Sequence, residues 1–186
     1  MSANNPINWF GSEYLTWLWF ASERDGAAFE LDGKQFHLEF VDVIELLRRD
    51  AIDEAGKRTT IRQPDPTATY EARAALLQGK KVEKTRICIT LEGRIYWVTI
   101  DSGLHSVHGA RPPQTVKPPS LAAQLRDPTE AANELAAARE ERLGNLHELE
   151  RVLDHLVEYF AELRVDPDRW PETYERICKW VQSEPS

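Results

Sequence analysis

The chain lacks any apolar run long enough to cross a bilayer. Its most hydrophobic stretch, EYLTWLWF from Glu13 to Phe20, falls far short of the roughly 18–20 residues a span requires. No cluster of Lys or Arg precedes it and no small-residue cleavage site follows, so it makes a poor secretory signal. Cysteine is scarce: Cys88 and Cys178 are the only two, 90 positions apart, a spacing that fits neither a metal site nor a redox pair. Both are expected to be reduced and largely buried. Catalytic signatures are also missing. There is no phosphate-cradling glycine loop, no Gly-x-Ser-x-Gly elbow and no His-Glu-x-x-His helix. His105 and His108 lie three apart without an acidic or thiol partner at diagnostic spacing, and His147 and His155 are too distant to chelate one ion. Carboxylates are abundant but spread over helix surfaces, with no isolated pair. The chain is therefore read as non-enzymatic, without cofactor or metal, and as a soluble cytoplasmic protein.

What is present is a globular composition: 186 residues, 41% hydrophobic and 29% charged, enough for one ordinary domain or a domain with an appendage. The net charge is −8, which opposes nucleic-acid binding if it is spread evenly. It is not. Residues 1–55 hold 4 Lys/Arg against 11 Asp/Glu, and residues 121–186 hold 8 against 15. Residues 56–94 reverse the balance, with 9 against 4. One basic island sits in an acidic chain.

Periodicity sets the expected architecture. Ser12 suits an N-cap and Gly26 a stop, so a helix is expected over about 12–24. Its large side chains point nearly all round, so it must be sandwiched between a sheet and either the C-terminal helices or a second subunit. Trp17, Leu18 and Phe20 are read as core, with Trp19 or Tyr14 turned toward a partner. AFELDGKQFHLEFV alternates with period two around Asp32-Gly33, a hairpin signal. VIELLRRD fits either a longer strand or a short helix, DEAGKR a polar turn, and RTTIR a strand. A short helix is expected over Thr67–Gln78, ended by Gly79. VEKTRICITLEGRIYWVTID forms a second hairpin around Glu92-Gly93; its second strand is apolar on both faces and is placed centrally. ARPPQTVKPP is a semi-rigid connector. Beyond it Leu146, Leu149, Leu153, Leu156, Phe160 and Leu163 form a heptad-like seam, with Gly144 a possible break before it, and a last amphipathic helix covers about 170–182. The fold class is α+β: an antiparallel sheet with a packed N-terminal helix and a short helix, followed by a C-terminal helical unit. The boundaries are a sheet domain over 1–110, the connector over 111–120 and the helical unit over 121–186.

The island falls on this frame with some order. Lys84 and Arg86 share one face of the strand from Val82 to Leu91, while Ile87, Ile89 and Leu91 take the other. Lys80 and Lys81 stand at its start, Arg94 just past its turn, and Arg58 and Arg62 on the neighbouring RTTIR strand. Several cations on one side of a sheet suit phosphate contacts, and no recognition helix is evident, so binding should depend little on base sequence. The competing reading pairs these cations with nearby acidic residues, in a protein-interaction adaptor that does not bind DNA.

The stretch GKKVEKTRICITLEGRIYWVTIDSGLHSV resembles the RdgC recombination-associated proteins, on Gly79, Lys80, Val82, Lys84, Ile87, Arg94, Ile95, Val98, Asp101 and Leu104. LTWLWFASERDGAAFELDG is similar to that family's Leu-Thr-x-Trp helix and following hairpin, and IRQPDPT to a Lys-Gln segment before its short helix. The resemblance covers roughly residues 10–110 and matches the C-terminal part of the family pattern, with the preceding portion missing or replaced. That family's members form ring-shaped dimers, and the resemblance implies a sequence-independent binder of double-stranded DNA that modulates recombination, with ring closure left open by the missing portion. The resemblance carries a DNA-contact role to Arg62 and Gln63, and the basic island adds Lys80, Lys81, Lys84, Arg86 and Arg94 as expected phosphate contacts. A homodimer or a partner protein is expected to attach through the C-terminal helices, where Arg164 supplies a further contact, and no membrane is involved.

Overall fold

A computed structural model of the chain describes residues 12–24, 28–48, 57–103 and 106–183. The elements run α1 (Ser12–Arg24), β1 (Ala28–Leu31), β2 (Lys34–Leu47), β3 (Arg58–Arg62), α2 (Tyr70–Leu77), β4 (Lys81–Leu91), β5 (Arg94–Asp101), β6 (Ser106–Arg111), α3 (Leu121–Arg126), α4 (Pro128–Val165) and α5 (Arg169–Gln182). The strands form one antiparallel six-stranded sheet in the order β1-β2-β4-β5-β6, with β3 also paired to β2. β1 takes residues 34–37 of β2 and β3 takes residues 43–47, so the two short strands share one edge. The α+β expectation, with its C-terminal helical part, is what the chain adopts.

Local chemistry explains the hairpins. Asp32 and Gly33 sit at φ 52° and 76°, and Glu92 and Gly93 at φ 49° and 76°, the left-handed pair that a two-residue hairpin needs. The ambiguous VIELL segment continues β2 as strand. It does so through a bulge between Val41 and Ile44, where Asp42 takes φ 60°. The polar turn expected over 53–58 lies mostly outside the described residues, as do Gly26, Leu104 and His105. The short helix starts later than expected, at Tyr70, because Thr69 caps it: its hydroxyl accepts from the Ala72 N–H at 3.1 Å. Gly79, at φ 81°, ends it.

All of the core lies on one face of the sheet. Phe36, Leu38, Phe40, Ile87, Ile89, Leu91, Tyr96, Val98 and Ile100 point into it. α1 lies across these residues and is in turn covered by α4 and α5. Tyr14, Leu15, Trp17, Leu18, Trp19 and Phe20 are all buried, which corrects the expectation that Trp19 or Tyr14 faces a partner. Trp19 packs between Phe40 of the sheet and Trp180 of α5, at ring separations of 6.2 and 5.2 Å. Tyr14 meets Phe160 edge-on at 5.5 Å. Truncating Trp19 or Phe160 to Ala is expected to cost about 3–5 kcal/mol. Thr16, the one polar residue of the run, accepts a hydrogen bond from the Val82 N–H at 3.2 Å, satisfying a donor at the start of β4.

Two polar networks tie helices to this face. Glu23 accepts from the indole N–H groups of Trp19 and Trp180 and pairs with Arg73. Arg73 is only 3% exposed, donates to the Trp180 carbonyl at 3.2 Å and stacks 4.0 Å from that indole ring. Burial lowers the Arg73 pKa, and the Glu23 charge partly offsets it. Farther along, the buried Tyr96 hydroxyl donates to Glu148 of α4, raising the phenol's pKa through burial and the carboxylate's proximity. Arg94 bonds the same carboxylate at 2.7 Å and Asn145 at 3.3 Å.

Most of the leucine seam is used internally. Leu149, Val152, Leu156, Phe160 and Leu163 are buried in the same core as α1 and the sheet. Leu146 and Leu153, the other leucines of the seam, are half-buried and line a groove with Val107 and Ala110, and α4 continues through Gly144 without a break. Arg164 is likewise engaged within the chain, stacked 4.6 Å from Trp170 and bonded to Glu13 at 3.4 Å. The proline-rich stretch is held against α4: Asn145 donates to the Pro113 carbonyl at 2.8 Å, and Glu141 accepts from the Thr115 and Val116 N–H groups. Cys88 is buried and Cys178 half-buried, both as free thiols.

Candidate nucleic-acid interface

With the helices gathered on one face, the other face of the sheet is uncovered. Its side chains follow from the register. Lys84 and Arg86 point there from β4, and Thr99 and Trp97 from β5. Ile95, on the same face, is 47% exposed. The placement of β5 inside the sheet, between β4 and β6, was legible. Its second apolar face, however, meets no covering layer among the described residues.

The structure sorts the expected contact residues into three groups. Lys80 is buried, 6% exposed, and its ammonium donates to the Thr59 hydroxyl at 2.7 Å. As it stands, the lysine presents little of its length to solvent. Arg94 is committed to Glu148, Asn145 and Glu92, and those carboxylates and the Tyr96 hydroxyl hold its pKa above the usual value despite burial. Lys84 pairs with the buried Asp101 at 3.3 Å. Arg86 pairs with Asp42 at 3.0 Å and stacks on Trp97 at 5.5 Å. These two are half-buried members of a mixed-charge ladder, and the face they share is close to neutral rather than basic.

The remaining residues gather at one corner. Leu47 of β2 is flanked by Arg58 on β3 and Lys81 on β4. The Arg48 N–H bonds the Lys57 carbonyl at 2.9 Å, which brings two more cationic positions beside them. Arg58 and Arg62 lie on the same face of β3, roughly 13 Å apart along the strand. Arg58 pairs with Glu45 and Glu83 at 3.4 and 3.6 Å, yet its side chain is more than half exposed. Lys81 pairs with Glu13 at 3.0 Å, and both groups are open to water. Burial raises the Glu13 pKa, but Lys81 and Arg164 outweigh that and leave it below the usual carboxylate value. Arg62 is exposed and has no carboxylate partner among the described residues. Gln63 is exposed too, its amide donating to the Asp65 carbonyl at 2.9 Å.

Sequence reasoning assigned no contact role to Arg48, Lys57 or Trp97. Arg48 and Lys57 meet only through β2–β3 pairing, while Trp97 was visible as the outward residue of an alternating strand. No group of three or more His, Cys, Asp or Glu side chains among the described residues is arranged to hold a metal ion. No described helix is long and apolar enough to cross a membrane. Against family models, curated proteins and solved structures, the chain has no match.

Proposed function

We propose that the protein is a non-enzymatic binder of duplex DNA, acting through the corner where β3 meets the ends of β2 and β4. One observation carries this reading: β3 is an edge strand that presents Arg58 and Arg62 from the same face, with Lys81 two strands away. The carboxylates nearby do not block it. An exposed ion pair such as Lys81–Glu13 contributes only about 0–1 kcal/mol, so a phosphate can displace it at small cost. Arg58, although its partners Glu45 and Glu83 are mostly buried, keeps more than half of its side chain open to a phosphate. A flat corner with no helix free to enter the major groove contacts backbone rather than base edges, so the binding is indifferent to sequence. The acidic surfaces elsewhere confine DNA to this edge. A part in recombination, and a place beside the nucleoid, rest on the RdgC resemblance alone.

The test is fluorescence anisotropy on a random duplex. Binding is expected at about 20–50 mM salt and should weaken steeply as salt rises. The R58E/R62E/K81E variant should abolish it, while R86Q should leave it within about twofold, since that guanidinium already pairs with Asp42. Absence of binding at the lowest salt, or binding that survives the triple variant, would overturn the proposal.

A protein-interaction adaptor is the second reading, favoured by the uncovered face, where Ile95 is 47% exposed beside Trp97 and Lys84 and Arg86 are already neutralised. A stoichiometric protein partner retained after nuclease treatment of a pull-down, and lost in an I95D variant, would support it over DNA binding.

A further inference from the structure

Away from the basic corner, α1, α4, α5 and β1 enclose a cleft of about 500 Å³, a size that suits a small molecule. Its apolar wall is mainly aromatic: Trp17, Phe20, Phe29 and Tyr159 line it. Trp17 and Tyr159 are stacked at 5.8 Å with 25° between their planes, and Tyr159 remains 43% exposed at the opening. Arg169 and Arg176 also line the cleft. They are seven positions apart on α5, so they stand on one face of the helix about 10 Å from each other.

These arginines are held by rings rather than by carboxylates. Arg169 lies 5.9 Å over Tyr159, and Arg176 lies 5.7 Å over Phe20. Arg24 approaches that same Phe20 ring at 5.9 Å, so two guanidinium groups share one aromatic residue. None of the three has a salt-bridge partner among the described residues. Of the acids just before Arg169, Asp168 makes no ion pair with it, and Asp166 is occupied by the backbone N–H groups of Arg169 and Asp168 at 2.9 and 3.0 Å. Glu172 lies between Arg169 and Arg176 and lines the cleft, yet it bridges neither. Two guanidinium groups that make no direct ion pair stand against aromatic walls, with Glu30 and Glu172 also lining the cleft and Asp166 near Arg169, and this matches a ligand that supplies a ring and one negative group.

We propose that this cleft binds a small planar aromatic anion, its ring against Tyr159 and Phe29 and its charged group between Arg169 and Arg176. An aryl carboxylate, sulfonate or phosphate each meets this description, because a guanidinium bonds all three oxyanions in the same way. Glu30 and Glu172 disfavour a second negative charge at the mouth, so the ligand carries its charge at one end.

Isothermal titration calorimetry of the full chain with 1-naphthoate tests this, with neutral 1-naphthol as the comparison. One-site saturable binding of naphthoate is expected, about tenfold or more tighter than naphthol. R169Q/R176Q should weaken naphthoate by about tenfold while leaving naphthol unchanged, and E172Q should tighten it by about twofold or more through loss of a like charge. Both arginines and Glu172 are exposed, so the variants keep the fold, which far-UV circular dichroism verifies. The proposal is overturned by an absence of saturation at about 10 mM naphthoate, by naphthol binding equally well, or by affinity indifferent to R169Q/R176Q. It is equally overturned if E172Q weakens naphthoate binding, because Glu172 would then not stand near the ligand's negative group as a like charge.

Discussion

The two faces of the sheet use the same chemistry to different ends. On the helix-covered face, the buried Arg73 meets Glu23, whose side chain is 24% exposed, beside two indoles, and the pair fixes α1, α2 and α5 to one another. On the uncovered face, Arg58–Glu45 and Arg86–Asp42 each keep one partner half or more open to water, while Lys84–Asp101 beside them is more sheltered. A guanidinium–carboxylate pair inside is costly to form and costly to break, whereas one outside is cheap in both directions. The inner pairs therefore define the fold. The outer pairs can be traded for other anions, and that is what a binding surface requires.

The largest effect that tests this contrast is on the inner pair. Glu23→Leu removes the acceptor from two indole donors and strands a guanidinium that is 3% exposed. Urea denaturation should show a loss of about 3–5 kcal/mol. The companion E23L/R73M variant, which removes both charges, should recover most of that loss. A cost for E23L below about 1 kcal/mol would mean that water reaches the network, and the distinction between the faces would fail.

Backbone strain comes next in size and separates conformation from charge on the outer face. Asp42 occupies φ 60° at the β2 bulge, a region where a β-branched residue is disfavoured. Asp42→Val should therefore cost about 1–2 kcal/mol by the same measurement. Tyr96→Phe, back on the covered face, should cost about 1 kcal/mol. It removes only a hydroxyl, and Arg94 remains to satisfy Glu148. A loss above about 3 kcal/mol would show that the Tyr96 bond, rather than the leucine seam, fastens α4 to the sheet.

The same division explains what could be read from the sequence. Both hairpins were legible because Asp32-Gly33 and Glu92-Gly93 state their turn geometry within two residues. The burial of α1 was legible because its apolar side chains point in every direction. β6 was not: four of its six residues are exposed, so it shows no alternation, and it exists because β5 offers it an edge. Gly144 signalled a break, but Asn145 and Leu149 are buried on either turn beyond it, and tertiary packing outweighs a glycine's cost of about 1 kcal/mol. The site was least legible. GKKVEKTR reads as four cations, yet the partners that take them up are distant in sequence: Glu13 lies 68 positions from Lys81, and Asp42 lies 44 from Arg86. Charge content was visible along the chain, whereas charge availability depends on pairings made only by folding.

The smallest expected effect is the sharpest test of exchangeability on the outer face. Asp42→Asn keeps a residue type that tolerates the left-handed conformation and keeps an oxygen that can accept from Arg86, while deleting the charge. Half of the Asp42 side chain is open to water, so the Coulombic part of its pair with Arg86 is already weak. D42N should therefore change stability by no more than about 0.5 kcal/mol, and moderate salt should shrink even that. Set against D42V at the same position, it assigns the requirement for Asp42 to the bend in β2 rather than to the ion pair. It also releases Arg86 from its carboxylate, so R86 should gain a measurable share of DNA binding in the D42N background if free cations on this face are what DNA engages. Duplex affinity that is identical in D42N and the parent protein would confine the contact to Arg58, Arg62 and Lys81, and a fall in affinity would contradict the electrostatic account of the face.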